Sequence, residues 1–280
     1  MKLELLNYLS EYKKWLKNKN MSNNTIDCYM TRLNDIFKNK HKIDKDYLFL
    51  KKAKLEETMS PRTVNLSVNA INSYIDFYIE KFEDNVYSRL KMKCIKITRK
   101  NYLENVISYQ EYLQFTQWLK ENKEYKYYYL VITLGCTGMR ISELVKCNVQ
   151  AVKIGYFDVI GKGSKSRRIY IPKKLQEELL VYIKDNNLKQ FLFTNKDGVK
   201  ITERGVAHQL NELAKRCGIN EKVVYPHSFR HMYAKQFISK RQDIALLADL
   251  LGHSSIETTR IYLRLTSEEQ KQIVDEVVTW

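Results

Sequence analysis

Thr137-Gly138-Met139-Arg140-Ile141-Ser142-Glu143-Leu144 is the stretch on which the reading of this chain turns. A helical apolar pattern runs up to Leu134, glycine interrupts it, and a new helix begins with an arginine in its first turn. Glu143 lies three residues after Arg140, on the same helical face. Alone, such a pair is an ordinary surface ion pair that contributes little. The downstream sequence gives it another meaning. Tyr225-Pro226-His227-Ser228-Phe229-Arg230-His231 sets a histidine and a second arginine three apart on one face, while His231 points elsewhere as a packed, hydrogen-bonded histidine. Leu250-Leu251-Gly252-His253-Ser254-Ser255-Ile256-Glu257 ends one helix at glycine and starts another, with Ser254 and Glu257 at capping-box spacing. His253 therefore stands at a helix junction, and Tyr262 follows about two turns further on.

Arg140, Lys162, His227, Arg230, His253 and Tyr262 together suit an enzyme that attacks a phosphodiester without a metal. Guanidinium groups grip phosphoryl oxygens in a bidentate fork. A tyrosine is a nucleophile once its proton is taken. Lysine and histidine move protons. Each residue alone has a plainer reading, and with 20 tyrosines in the chain Tyr262 alone would pass as core.

The bulk properties agree with a nucleic-acid partner. The 280 residues carry a formal net charge of +16, which attracts polyanions, although a lysine-rich composition bias would give the same number. The hydrophobic fraction of 44% is that of a globular chain long enough for two domains. Five cysteines, Cys28, Cys94, Cys136, Cys147 and Cys217, are odd in number and scattered without a CxxC pair. That pattern fits reduced thiols in the cytoplasm rather than a zinc site or disulfides. The charged start is no signal peptide, and the longest apolar run, 127–138, is too short for a membrane span of roughly 20 residues.

The spacing predicts a mainly α fold with one small antiparallel β-hairpin. Residues 1–88 read as an N-terminal helical bundle: Leu5, Leu6, Tyr8, Leu9, Tyr12 and Leu16 form one stripe, Ser22 caps a second helix, and Ser60-Pro61 opens a third. Residues 89–104 read as a basic linker holding Arg89, Lys91, Lys93, Lys96, Arg99 and Lys100, solvated or laid along a DNA backbone. Residues 105–280 read as the catalytic domain. Ser108 and Glu111 form a capping box, and strands at 156–160 and 168–171 flank the tip Gly161-Lys162-Gly163-Ser164-Lys165. Phe191-Leu192-Phe193 reads as a short buried strand, and Thr202 caps a helix ending near Gly218.

Taken in order, the motifs around Arg140, Lys162, His227-Ser228-Phe229-Arg230-His231, Leu251-Gly252-His253 and Tyr262 resemble the tyrosine recombinase (phage integrase) family over about residues 105–270. That resemblance implies a C-shaped clamp of a helical core-binding domain and a catalytic domain on double-stranded DNA. It implies Arg140 and Arg230 on the scissile phosphate and Lys162, or Lys165 if the hairpin slips, as general acid to the leaving 5′ oxygen. His227 would assist as base or donor, His253 would hydrogen-bond the phosphate, Glu143 would hold the Arg140 region and Tyr262 would be the nucleophile. It further implies a dimer on each site, a tetramer in the synapse, and no metal or other cofactor. Arg204, near the start of the helix that Thr202 caps, is a candidate contact to a base edge or a phosphate. The apolar spacing of Ile273, Val274, Val277, Val278 and Trp280 suggests a tail docked on a neighbouring protomer, with packing in cis as the alternative. The resemblance begins directly with the core-binding region, which leads to the expectation of a simple Xer-like or transposon-resolving recombinase rather than a phage integrase with an arm-type DNA-binding domain. A type IB topoisomerase, a non-cleaving DNA-binding regulator and a metal-dependent nuclease are the competing readings. The last lacks a cluster of acidic ligands in the motif region.

Overall fold

The computed structural model describes residues 3–4, 8–38, 42–97, 105–160, 166–253, 255–260, 262, 271 and 274–280. It divides into two compact units, Met1–Arg99 and Lys100–Trp280. Helices dominate both.

In the first unit, α1 (Leu9–Asn18), α2 (Asn23–Phe37), α3 (Lys45–Thr58) and α4 (Pro61–Phe82) form a bundle. A two-residue antiparallel pairing of β1 (Leu3–Glu4) with β2 (Lys42–Ile43) was not anticipated from the sequence. Ser22, Asp44 and Ser60 each accept a backbone N–H at a helix start, and Pro61 follows at the first helical position. Of the expected first stripe, Tyr12 and Leu16 are buried, whereas Leu5 and Leu6 lie outside the described residues. Tyr12 packs edge-on against Tyr74 of α4 and donates its hydroxyl to Ser73 at 2.9 Å.

Residues 89–97, read as the start of a free linker, are instead tied to α4. Asn72 exchanges two hydrogen bonds with the backbone of Met92, and Asn65 does the same with Ile95. Leu90 and Met92 are buried, and Lys91 pairs with Asp76. The asparagines imitate a neighbouring strand for residues 91–97, which leave the 3-10 turn Asn85–Leu90 at Lys91, and Arg89, Lys93 and Lys96 are exposed. Arg99 and Lys100 lie outside the described residues.

The second unit holds α5 (Tyr109–Glu121), α6 (Tyr125–Thr137), α7 (Ile141–Leu144), α8 (Val149–Ile154), the hairpin β3 (Tyr156–Ile160) and β4 (Ser166–Tyr170), α9 (Lys173–Asp185), α10 (Glu203–Cys217), α11 (Pro226–Lys240), α12 (Ile244–Leu251) and α13 (Ile256–Arg260). The helical pattern up to Leu134 is two helices, α5 and α6, separated at Asn122–Glu124 where Lys123 adopts φ 59°. The Ser108 capping box opens α5, with both reciprocal hydrogen bonds made. Residues 130–134 of α6 are buried all round, as befits the central helix of the unit. Strands β3 and β4 pair antiparallel from Tyr156↔Tyr170 to Ile160↔Ser166.

One local expectation fails, and another falls on a residue outside those described. Phe191–Phe193 is buried in part but forms no strand: Asn148↔Phe191 and Thr194↔Lys200 are isolated bridges, because the flanking turns leave no partner for a ladder. Ser254 lies outside the described residues, and Ser255 accepts the Glu257 N–H at 3.2 Å. Among the described residues no helix is long and apolar enough to cross a membrane.

Candidate active site

Arg230 sits at the centre. It faces inward from α11 at 1% exposure and has no carboxylate partner among the described residues. Its guanidinium donates instead to the Gly138 carbonyl at 2.8 Å and the Leu251 carbonyl at 2.6 Å. Gly138 caps the C-terminus of α6, and Leu251 ends α12. The negative ends of two helices thus hold the cation in place. Burial, and next the Arg140 cation, lower its pKa to about 10, while interaction with Tyr262 works the other way. Its Nε is buried without a partner among the described residues. A buried cation with no carboxylate partner among them is arranged for an incoming anion.

The other motifs converge on it. Arg140 is not in a helical first turn; it caps α7 in extended backbone, φ −75° and ψ 154°. Glu143 accepts from the Arg140 backbone N–H at 2.6 Å and from its guanidinium at 3.1 Å. The carboxylate is largely buried, at 12% exposure against 37% for Arg140, so this is no surface ion pair. Arg140 keeps an exposed face with which to reach a ligand.

His253 places Nε2 3.0 Å from the Arg230 guanidinium and Nδ1 2.8 Å from Oγ1 of the buried Thr259. Arginine only donates, so Nε2 accepts, and the proton of the neutral ring is assigned to Nδ1. Burial, then the Arg230, Arg140 and Arg167 cations, push the His253 pKa down to about 4. Tyr262 is 4% exposed and stacks on His253, ring centroids 5.8 Å apart. His227 lies exposed in the first turn of α11, its pKa lowered by partial desolvation and then by Arg230 and Arg140.

His231 differs from expectation. Its ring is 4.8 Å from that of His227 and 5.0 Å from that of Tyr262, and its buried Nδ1 has no partner. Burial, His227 and Arg230 hold its pKa at about 4. The structure therefore brings together Arg140, His227, Arg230, His253 and Tyr262, with Glu143 behind them. Lys162 and Lys165 lie outside the described residues. Arg204 is exposed in the first turn of α10, which Thr202 caps as expected.

Two glycines are fixed by this crowding. A Cβ on Gly138, at φ 61°, would stand 2.4 Å from the Tyr233 ring. One on Gly252, at φ 62°, would stand 2.1 Å from Cδ of Arg167. Thr259 and Arg167 are the residues that sequence reasoning missed. Thr259 offered no signal beyond being one of several polar residues in a short helix. Arg167 alternates in phase with the inward-facing Ile169 on β4, whereas Arg168 faces out and pairs with Asp158.

A helical domain that buries an arginine beside a second arginine, two histidines and a tyrosine defines a phosphate-handling site. The family it belongs to is the phage integrase family, whose model matches residues 105–269. Tyrosine recombinase XerC of Leptospira interrogans is 36% identical over 150 residues, covering 51% of this chain and 48% of that protein. Tyrosine recombinase XerA of Pyrococcus furiosus is 29% identical over 276 residues, covering 95% and 92%. Similar solved folds include a lambda integrase dimer bound to a core site, at TM-score 0.74 and 16% identity, covering 93% of this chain and 95% of that one. The XerH recombinase in a post-cleavage complex with palindromic difH substrate gives TM-score 0.70 and 20% identity, covering 95% and 84%.

Proposed function

We propose that the protein is a site-specific DNA recombinase that cuts and rejoins strands through Tyr262. The observation that carries this reading is the buried Arg230, without a carboxylate partner among the described residues, held by two helix ends, bonded to His253 and in the electrostatic reach of Arg140 and Tyr262. Arg140 and Arg230 grip the non-bridging oxygens and offset the charge that develops on the pentacoordinate phosphorane. The Tyr262 oxygen attacks phosphorus, and the 5′ oxygen leaves as an alkoxide. A free tyrosine has pKa about 10, so its proton must be accepted during attack, and neutral His227 can take it. Lys162 or Lys165 returns a proton to the 5′ oxygen. One phosphate ester replaces another, so the 3′-phosphotyrosyl bond retains the energy for rejoining and no nucleoside triphosphate is consumed. The arginines supply the positive charge that a metal ion supplies elsewhere. Successive exchanges pass through a Holliday junction.

Double-stranded DNA is the partner, at an inverted-repeat core site. The net charge of +16 and the exposed Arg89, Lys93, Lys96 and Arg204 support this, with Lys91, Arg99 and Lys100 in the same basic stretch. The two compact units, Met1–Arg99 and Lys100–Trp280, support a core-binding domain and a catalytic domain, with the basic residues 89–97 belonging to the first. The protein acts as a dimer on each site and a tetramer in the synapse. Val274, Val277, Val278 and Trp280 are all exposed in this single chain, which favours a tail that docks on a neighbouring protomer. Five unpaired cysteines favour the cytoplasm. The test is an SDS-resistant protein–DNA adduct formed in EDTA on nicked duplexes taken from beside the gene. Wild type should form it and Tyr262→Phe should bind without forming it. Equal adduct from both proteins would remove Tyr262, and tight binding without adduct would leave a non-cleaving regulator.

A further inference from the structure

We propose that Arg167 is a positioning residue of this site, a buried bracket that fixes Arg140 and His253 relative to Arg230. The inference rests on the recombinase reading and deepens it. Arg167 projects inward from β4 with a side chain only 9% exposed. One Nη donates to Glu143 at 2.6 Å, and the other donates to the Leu250 carbonyl at 2.5 Å. Glu143 is the carboxylate that already holds the Arg140 backbone N–H. Leu250 lies in the last turn of α12, three residues before His253. A single guanidinium thus joins the turn that carries Arg140, the hairpin strand and the helix end that carries His253.

Two observations mark this as a built contact. Gly252 leaves room for the Arg167 stem where any Cβ would collide with it. Burial without compensation would expel a cation from such a place, and Glu143 is the group that opposes this. The consequence for chemistry is specific. Glu143 divides its two oxygens between Arg167 and Arg140. Without Arg167, the whole carboxylate charge falls to Arg140 and draws that guanidinium away from a phosphate. Lysine cannot replace Arg167, because a single ammonium lacks the planar fork that spans an acid and a carbonyl.

The test has an arm that needs no DNA. The imidazole pKa of His253 is measured by NMR in the full chain for wild type, Arg167→Lys and Arg167→Gln, with His208 on α10 as internal reference. Arg167→Lys keeps the charge but loses the fork and releases the α12 end, so in that variant the His253 pKa should rise by about one unit or more toward the ordinary histidine value. That rise owes nothing to loss of the cation, which contributes only in Arg167→Gln. His208 should not move. An unchanged His253 in Arg167→Lys overturns the proposal. The second arm measures adduct formation at saturating nicked duplex. Arg167→Gln should lose about 100-fold or more in rate while its affinity for DNA stays within about threefold. Adding Glu143→Gln should restore much of the rate, since glutamine still accepts the Arg140 N–H but no longer holds its guanidinium by charge. A rate loss that merely follows thermal destabilisation, without rescue, would assign Arg167 a folding role only and contradict the proposal. Arg168→Gln, on the exposed face of the same strand, is the control. Absence of adduct with wild type would refute the recombinase reading, and the His253 titration would still decide Arg167.

Discussion

Arg230→Met should leave the protein folded while abolishing its response to phosphate-like anions. The lowered pKa of Arg230, about 10, corresponds to ~3 kcal/mol of charge burial that the fold carries without a counter-ion. Methionine removes that cost and fills similar volume with a flexible apolar chain. The variant also strips the Gly138 and Leu251 carbonyls of a donor, at about 1–3 kcal/mol each where water does not replace it. The opposing quantities largely cancel, so the net loss should not exceed about 3 kcal/mol, a Tm shift of roughly 6–12 °C or less. Breaking an ordinary buried ion pair costs about 3–5 kcal/mol. The assay is thermal unfolding against sulfate concentration. At tenfold over its Kd, sulfate stabilises a binding site by about 1.4 kcal/mol, or roughly 3–5 °C here. Wild type should show that rise and Arg230→Met should not. A loss beyond about 4 kcal/mol without sulfate, or an equal sulfate response in both proteins, would show that Arg230 is a structural cation and refute the reasoning.

Thr259→Val keeps the shape of a fully buried residue but leaves the Nδ1–H of His253 unpaired, so stability should fall by about 1–3 kcal/mol in urea unfolding, while Nε2 stays unprotonated in NMR spectra because Arg230 still donates to it. His231 and His253 both have folded pKa values near 4, below the ordinary histidine value, so the unfolded chain binds more protons in acid. Stability should therefore be complete above about pH 6.5 and decline as pH falls toward 4. His231→Phe should flatten that decline in a Tm-versus-pH series, and an identical slope would count against it. Removal of residues 268–280 should leave the Tm unchanged but weaken assembly of protomers on DNA in sedimentation experiments; unchanged assembly would remove the docked-tail reading.

Much of the fold was written locally. Ser22, Ser60, Ser108 and Thr202 each cap the helix their positions announce, because capping depends on residues three apart in sequence. The hairpin was legible around its glycine-rich tip, although β4 spans Ser166–Tyr170 rather than 168–171, and the clustering of Arg140, His227, Arg230, His253 and Tyr262 followed from motif order. What stayed hidden depends on distant partners. Nothing near Arg167 in sequence announces Glu143 or Leu250, which lie 24 and 83 residues away. Likewise the asparagines at 65 and 72 gave no hint that they would hold residues 92 and 95 against α4. His231 was read as satisfied because most buried histidines are. Its Nδ1 meets no acceptor among the described residues, with the Tyr262 ring in a T-shaped contact at 5.0 Å.

The most direct test is to identify the atom that carries the DNA. An adduct trapped on a nicked duplex in EDTA is digested with nuclease and protease, and the modified peptide is sequenced by mass spectrometry. The expected result is a single nucleotide-bearing tyrosine, Tyr262, joined through a 3′ phosphate. A different modified residue, or a 5′ linkage at Tyr262, would contradict the assignment of this site.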